Sequence, residues 1–247
     1  MSKTKLLSVI VPAYKQGKTI EEDIRSLVTT LKTLPYNFEL IIVVDGFIDN
    51  TYKVAKKMHI KGLFVIGYEQ NHGKGYAIQY GVSKAKGDII GFIDAGMDIN
   101  PTEIAIALDI MEWNKADIVI GSKLHPDSKV KYPLWRHITS WGYRSLLFLL
   151  FHLSVRDTQV GLKFFRKKVA KKVFPKILVK KFAFDVEVLA VAISYGYNNI
   201  YESPIILNFN GKGSISSRNF WKIIGSMMWD TGAVFYRLKI LRYYSRK

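Results

Sequence analysis

Two carboxylates four residues apart, Asp94 and Asp98, close a short apolar run in Asp88-Ile-Ile-Gly-Phe-Ile-Asp94-Ala-Gly-Met-Asp98-Ile-Asn-Pro101. The run Asp88 to Ile93 reads as a buried central strand. Pro101 stands where a helix would begin, with Glu103 in its first turn. Carboxylates just past such a strand lie where open α/β sheets bind ligands. A divalent cation that bridges to phosphates needs only one or two protein carboxylates there. Two Asp residues capping a solvated loop would look the same. Three further groups precede helices or follow strands in the same way. Pro12 and Tyr14 follow Val9-Ile-Val, Asp45 follows Val43-Val44, and Asn71-His-Gly73-Lys74-Gly75 precedes a helix. Tyr14 could stack on a base and Asp45 could accept from its ring N–H. Gly73 and Gly75 would let backbone approach a phosphate at a helix N-terminus, with Lys74 as counter-charge. The spacing is not that of a Walker P-loop. With no cysteine there is no disulfide, thiolate metal site or cysteine nucleophile. The five histidines have no metal-ligand spacing.

The elements that must position these groups alternate along the first half. Strands are expected at Leu6 to Val11, Phe38 to Val44, Leu63 to Tyr68, Asp88 to Ile93 and Ile118 to Ser122. Helices are expected at Thr19 to Leu34, from an Asp49 or Asn50 cap to about Met58, at Gly75 to Lys84 and at Pro101 to Asn114. Strands alternating with helices imply a mostly parallel sheet with helices on both faces. The second half changes character. Tyr132 to Leu153, Val169 to Val173, Phe184 to Tyr195 and Phe220 to about Tyr243 read as helices, and Ile200 to Phe209 as a strand.

Charge divides the 247 residues unevenly. Residues 1–128 hold 15 basic and 15 acidic side chains, while residues 129–247 hold 22 basic and 5 acidic, the whole excess of +17. A one-sided basic half implies an anionic partner. Nucleic acid is not expected, because no recognition motif is present and the basic residues interleave with apolar runs. An anionic membrane surface suits that pattern better, with Trp and Tyr beside Arg and Lys in the last helix. The longest purely apolar run, Leu146 to Phe151, is far too short to span about 30 Å of hydrocarbon. Met1-Ser-Lys-Thr-Lys5 is not expected to be a signal peptide.

Taken together, Val9-Ile-Val-Pro-Ala-Tyr14, Asp45-Gly-Phe-Ile-Asp-Asn-Thr51, Asn71-His-Gly-Lys-Gly75, Phe92-Ile-Asp-Ala95, Asp157-Thr-Gln-Val-Gly-Leu-Lys163-Phe-Phe and Phe182-Ala-Phe-Asp185-Val-Glu187 resemble the inverting family-2 glycosyltransferases. The branch they are most similar to is that of the dolichyl- and polyprenyl-phosphate sugar synthases. Asn208-Phe209, Gly213-Ser214 and Asp230-Thr-Gly-Ala-Val-Phe-Tyr-Arg237 look most like its glucosyltransferases. The resemblance runs from about Leu6 to Tyr243. It implies a GT-A, Rossmann-like α/β fold, with C-terminal amphipathic helices at a membrane surface. It also implies transfer of glucose or mannose from a UDP- or GDP-hexose to dolichyl or polyprenyl phosphate with inversion. Pro12, Tyr14, Asp45, Lys74, Asp94 and Ala95 would hold the nucleotide sugar. Asp94 and Asp98 would hold Mg2+ or Mn2+. Lys123, Arg136 and Ser140 would hold the acceptor phosphate, and Asp157, with Asp94, would be catalytic.

The chain departs from that pattern at several positions. Lys15-Gln16 replaces the usual Asn-Glu, Val44-Asp45 the paired Asp, Lys123 the usual arginine, and Ile215 a basic residue. Gly96 stands where the metal-binding Asp of the Asp-x-Asp motif is expected, and Asp98 is its nearest substitute. The expected organisation is a catalytic domain over residues 1–212, with residues 133–153 as an interfacial helix within it, and a basic amphipathic segment over 213–247. Peripheral attachment to the cytoplasmic face follows. A homo-oligomer or a membrane-protein partner stays open. So do transfer to another glycan or glycolipid and nucleotide-sugar binding without catalysis.

Overall fold

The computed structural model describes residues 4–130, 134–153, 155–180, 183–207 and 220–245, without the side chains of residues 130, 134–141 and 220–224. The chain runs β1 (Leu6–Ala13), α1 (Ile20–Thr33), β2 (Asn37–Asp45), α2 (Thr51–Lys56), β3 (Leu63–Tyr68), α3 (Lys74–Lys84), β4 (Ile89–Ile93), α4 (Glu103–Trp113) and β5 (Ile118–Ser122). It continues through β6 (Lys129–Val130), α5 (Leu134–Phe151), β7 (Leu162–Arg166), α6 (Lys167–Val173), α7 (Phe184–Ser194), β8 (Ile200–Pro204), β9 (Ile206–Leu207) and α8 (Phe220–Phe235).

Seven strands form one sheet in the order β3-β2-β1-β4-β7-β5-β8. Side chains alternate across it, as the period of two requires. Leu7, Val9, Val11, Leu40, Ile42 and Val119 face α1 and α4, burying Ile20, Ile24, Leu27, Ile104 and Leu108. Ile10, Ile41, Val43, Ile90, Phe92, Ile120 and Phe165 face α3, α6 and α7 on the other side. This is the expected mostly parallel α/β sheet with helices on both faces.

One strand of this sheet was not anticipated. β7 lies antiparallel between β4 and β5. Lysine at its second position and arginine at its end interrupt the apolar run that marks a central strand. Its direction matters for the site. The residues that enter β7, Asp157 to Gly161, arrive at the same edge where β1, β2, β4 and β5 end. Gly91 of β4 makes room for it, since a Cβ there would stand 2.2 Å from the Phe164 ring.

The strand expected over Ile200 to Phe209 breaks at Ile205 into β8 and β9, and residues 208 and 209 lie outside the described set. The final helix also ends early. α8 stops at Phe235, a wider π turn follows over Tyr236–Ile240, and a 3-10 turn closes at Tyr243–Ser245. The chain there folds back into the core: Thr231, Val234 and Tyr244 are buried. Their anchor is Glu187 of α7, fully buried, whose Oε2 accepts from Leu178 N (2.9 Å) and Val179 N (2.7 Å). Its Oε1 accepts from Arg237 (3.2 Å) and from the Tyr244 hydroxyl. Burial and the Glu187 charge push the Tyr244 phenol above its usual range.

Arg237→Met should therefore destabilise the fold. A hydrogen bond to a charged group is worth about 1.5–3 kcal/mol, and Glu187 keeps its other donors. Urea unfolding should show a loss of that size, whereas Arg242→Met at the exposed end should show almost none.

Candidate active site

The carboxyl edge of the sheet collects the predicted residues. Tyr14 follows β1 with its ring well exposed, and Lys15 Nζ stands 5.3 Å from the ring centre. Pro12 is half-buried at the end of β1, and Ala95 is half-buried just past β4. Asp45 ends β2 but is only 3% exposed. Its Oδ1 accepts from His72 N (2.7 Å), and its Oδ2 from Gly73 N and the Asn71 side chain (both 2.9 Å). The carboxylate thus shapes the loop that enters α3. That loop's backbone turns through positive φ at Gly73 (96°), which glycine adopts without strain. Gly75 serves packing: its N donates to Lys180 O (2.9 Å), and a Cβ would meet the Phe184 ring at 2.7 Å.

Lys74 opens α3 and reaches across to Asp94, with Nζ 2.6 Å from Oδ1 and 2.9 Å from Oδ2. Burial penalises this ammonium, but the charges of Asp94 and Asp185 prevail and hold its pKa above the usual lysine range. Asp94 N donates to Gly161 O (2.9 Å), tying the end of β4 to the entry of β7. Beyond it the chain passes positive φ at Gly96 (94°) and Met97 (55°) before Asp98. Asp98 stands at the rim, where the surrounding protein and the charge of Asp94 raise its carboxyl pKa.

Asp94 and Asp98 therefore sense one another as like charges, the pairing a divalent cation relieves. Among the described residues no group of three or more His, Cys, Asp or Glu could hold a metal. A cation here would take most of its ligands from substrate oxygens and would share Asp94 with Lys74. Among the described residues only Gln16 Nε2, at 4.0 Å, would come near a Cβ at Gly96, but its φ strains any side chain.

Asp157 is 8% exposed. Its Oδ2 accepts from Lys123 N (3.1 Å) and lies 3.7 Å from Lys123 Nζ, while Oδ1 accepts from Gln159 N (3.1 Å). The pair brings the end of β5 to the entry of β7. Arg136 and Ser140 belong to α5, but their side chains lie outside the described set.

Several supporting residues escaped sequence reasoning. Asp23 of α1, buried, accepts from Gly96 N (2.9 Å) and fixes the loop between Asp94 and Asp98. Burial above all raises its pKa, against that hydrogen bond. A signal was present: Asp23 sits in the apolar stripe of Ile20, Ile24 and Leu27. Glu202 of β8 accepts from Arg156 N (2.7 Å) and Asp157 N (3.1 Å). Asp185 and Glu187 pair with Lys163 and Arg237. Their alternation in an otherwise apolar stretch suits either one of them facing the cleft or a pairing with Lys180 or Lys181; Lys181 lies outside the described set.

The sequence profile described as Glycosyl transferase family 2 matches residues 8–174. The dolichyl-phosphate beta-glucosyltransferase of Drosophila melanogaster is 34% identical over 202 residues, 75% of this chain and 62% of that protein. The Homo sapiens protein of the same name is 34% identical over 208 residues, 77% of this chain and 64% of its own. The chain thus spans just under two thirds of the length of these curated relatives. Among solved structures, glucosyl-3-phosphoglycerate synthase from Mycobacterium tuberculosis, in complex with Mn2+, uridine diphosphate and phosphoglyceric acid, superposes with a TM-score of 0.68 at 18% identity, over 94% of this chain and 78% of that one. Mannosyl-3-phosphoglycerate synthase from Rubrobacter xylanophilus gives 0.71 at 17%, over 97% and 76%. At such identities the likeness concerns the fold.

Uridine diphosphate is a suitable probe of this edge. Asp45→Ala should weaken its binding about tenfold or more and lower the unfolding midpoint, because three loop donors lose an acceptor, at about 1–3 kcal/mol for a buried unsatisfied group. Asp94→Asn should weaken metal-dependent binding with little change in stability. Calorimetric titration beside thermal unfolding separates the two, and wild-type affinity in both variants would remove the donor assignment.

Proposed function

The chain belongs to glycosyl transferase family 2 and carries the GT-A fold, and from that footing we propose that it transfers a hexose from a nucleoside diphosphate sugar to dolichyl or polyprenyl phosphate with inversion. The observation that carries the reading is the convergence of Asp94, Lys74, Asp157 and Lys123 on one sheet edge. The names of the relatives at 34% identity support the acceptor class and favour glucose over mannose.

A phosphate monoester is largely dianionic near neutral pH, so the acceptor is already a nucleophile. Proton removal contributes little, and positioning and charge management carry the reaction. Tyr14 offers an exposed ring for the base, beside Pro12. Asp45 shapes the loop that presents Lys74 to the diphosphate. Ala95 keeps the approach to Asp94 open. A divalent cation, Mg2+ or Mn2+, held by Asp94 and Asp98 would supply Lewis-acid stabilisation of the departing diphosphate. Asp157 holds Lys123 from backbone and side chain at once, so that Lys123, with Arg136 and Ser140, receives the acceptor phosphate. In this role Asp157 orients a cation instead of acting as a strong base.

The acceptor is lipid, and the surface suits a peripheral attachment. Trp229 (80% exposed), Tyr236, Ile240, Leu241 and Tyr243 project beside Lys239 and Arg242, and Phe148 and Leu149 are exposed on α5. Among the described residues no helix is long and apolar enough to cross a membrane. We place the protein on the cytoplasmic face of an anionic membrane.

Incubation with acceptor lipid and a panel of labelled UDP- and GDP-hexoses should yield acid-labile lipid-linked sugar from one donor. Chelator should slow it about tenfold or more, and Asp98→Ala should reduce what added metal restores. An absence of lipid-linked product with every donor would overturn the reading; full activity in chelator would remove the metal roles of Asp94 and Asp98.

Anionic liposomes should float the protein. High salt should weaken this without abolishing it, since each basic residue contributes about 1 kcal/mol that salt screens, while apolar insertion persists. Trp229→Ala with Ile240→Ser should reduce flotation and leave uridine diphosphate affinity intact. These substitutions are cleaner than removal of residues 220–247, which would strip Arg237 and Tyr244 from buried Glu187. Unchanged flotation would sink the surface assignment.

A further inference from the structure

Lys163 is fully buried in β7, between Phe92 of β4 and Ile120 of β5. Its ammonium donates to Asp185 Oδ1 in the first turn of α7 and to Val160 O, both at 2.6 Å. The Phe92 ring lies under it at 5.4 Å and under Lys74 at 5.8 Å. Burial pulls the Lys163 pKa down against the attraction of Asp185. Taking an ammonium and a carboxylate out of water is expensive, and an apolar pair of similar size usually serves a fold as well or better. Stability alone therefore does not account for this pair.

The second bond of Lys163 is informative. Val160 lies between the anchors of the two carboxylates the reaction uses. On one side is Asp157, whose oxygens accept from Lys123 N and Gln159 N. On the other is Gly161, whose carbonyl accepts from Asp94 N at 2.9 Å. Asp94 lies against Gly161 so closely that a Cβ there would stand 1.9 Å from Oδ2 and 2.1 Å from Cγ. Charges alternate from the rim inward, Asp94 with Lys74 and then Asp185 with Lys163. Lys163 also attracts Asp157 at longer range.

We propose that Lys163 is a positioning residue: by holding the Val160 carbonyl from beneath, it sets the separation and orientation of Asp94 on the donor side and Asp157 on the acceptor side. It touches no substrate. Asp185 offsets the buried charge without itself setting the Val160 carbonyl, and Gly161 supplies the gap in which Asp94 lies. The assignment rests on the transfer reaction proposed above, but its geometric content does not need the acceptor.

The test separates positioning from fold stability. Lys163→Met leaves Asp185 buried without a partner, so it should lower both the unfolding midpoint and kcat. Lys163→Met with Asp185→Asn removes both charges. Its midpoint should return close to that of the wild type. Its kcat for lipid-linked product should stay about 10–100-fold low, because a displacement of about 1 Å can cost that much. Its uridine diphosphate affinity should remain within about threefold. Asp185→Asn alone keeps the Val160 bond and should retain most of the turnover. Recovery of kcat together with stability in the double variant would overturn the proposal, as would an equal loss of kcat in Asp185→Asn. A crystal structure of the double variant should show the Val160 carbonyl moved and the carboxyls of Asp94 and Asp157 displaced relative to each other. Unmoved carboxyls would overturn the proposal even if the wild type transfers sugar to no lipid phosphate, a result that would count against the reaction instead.

Discussion

The bond from Asp94 N to Gly161 O joins the end of a parallel strand to the start of an antiparallel one, and the cleft depends on it. A purely parallel sheet can offer a site only residues that follow strands. Reversing β7 in the middle of the sheet adds residues that precede a strand, and so Asp157 comes to the edge that already holds Asp94. Without the reversal, the acidic loop after β4 and the Lys123 end of β5 would have no carboxylate between them.

Around that junction the loops are held by one recurring device. Non-helical backbone at the edge of a core leaves N–H groups that need acceptors. A carboxylate can accept several, and charge strengthens each bond. Asp45 takes His72 N and Gly73 N, Asp23 takes Gly96 N, and Asp157 takes Lys123 N and Gln159 N. Glu202 takes Arg156 N and Asp157 N, and Glu187 takes Leu178 N and Val179 N. Much of the acidic complement of this basic chain is thereby committed to shaping loops. Asp98 at the rim is the carboxylate of the acidic loop left facing outward.

The same device ties distant parts together. Glu187 holds the loop at Leu178 and Val179, and that loop's Lys180 carbonyl accepts from Gly75 at the start of α3. Its other oxygen holds Arg237 and Tyr244 of the C-terminal segment. The end of the chain is therefore fastened to the element that presents Lys74. The exposed aromatics of that segment are carried on a body whose orientation toward the Lys74 loop is fixed by a buried charge pair.

Local pattern determined much of this protein. Apolar runs bounded by Gly, Pro and Asp placed the first five strands, and the stripe of Ile20, Ile24, Leu27 and Leu31 placed α1, because side-chain period and backbone geometry are linked over a few residues. Position after a strand marked Tyr14, Asp45 and Asp94 as neighbours on one edge, and the family resemblance added Lys123. What those side chains do there was decided by the fold. Asp45 gives its oxygens to loop amides, Gly75 serves packing, Asp23 holds a loop, and Lys163, with the sequence look of a strand-breaking charge, lies in the middle of the sheet. The direction of β7 and the pairs Lys163 with Asp185 and Glu187 with Arg237 join residues far apart in the chain. No local period encodes such partners, because a buried charge is tolerated only where another element delivers its counter-charge and its hydrogen bonds, and that delivery exists only once the chain has closed on itself.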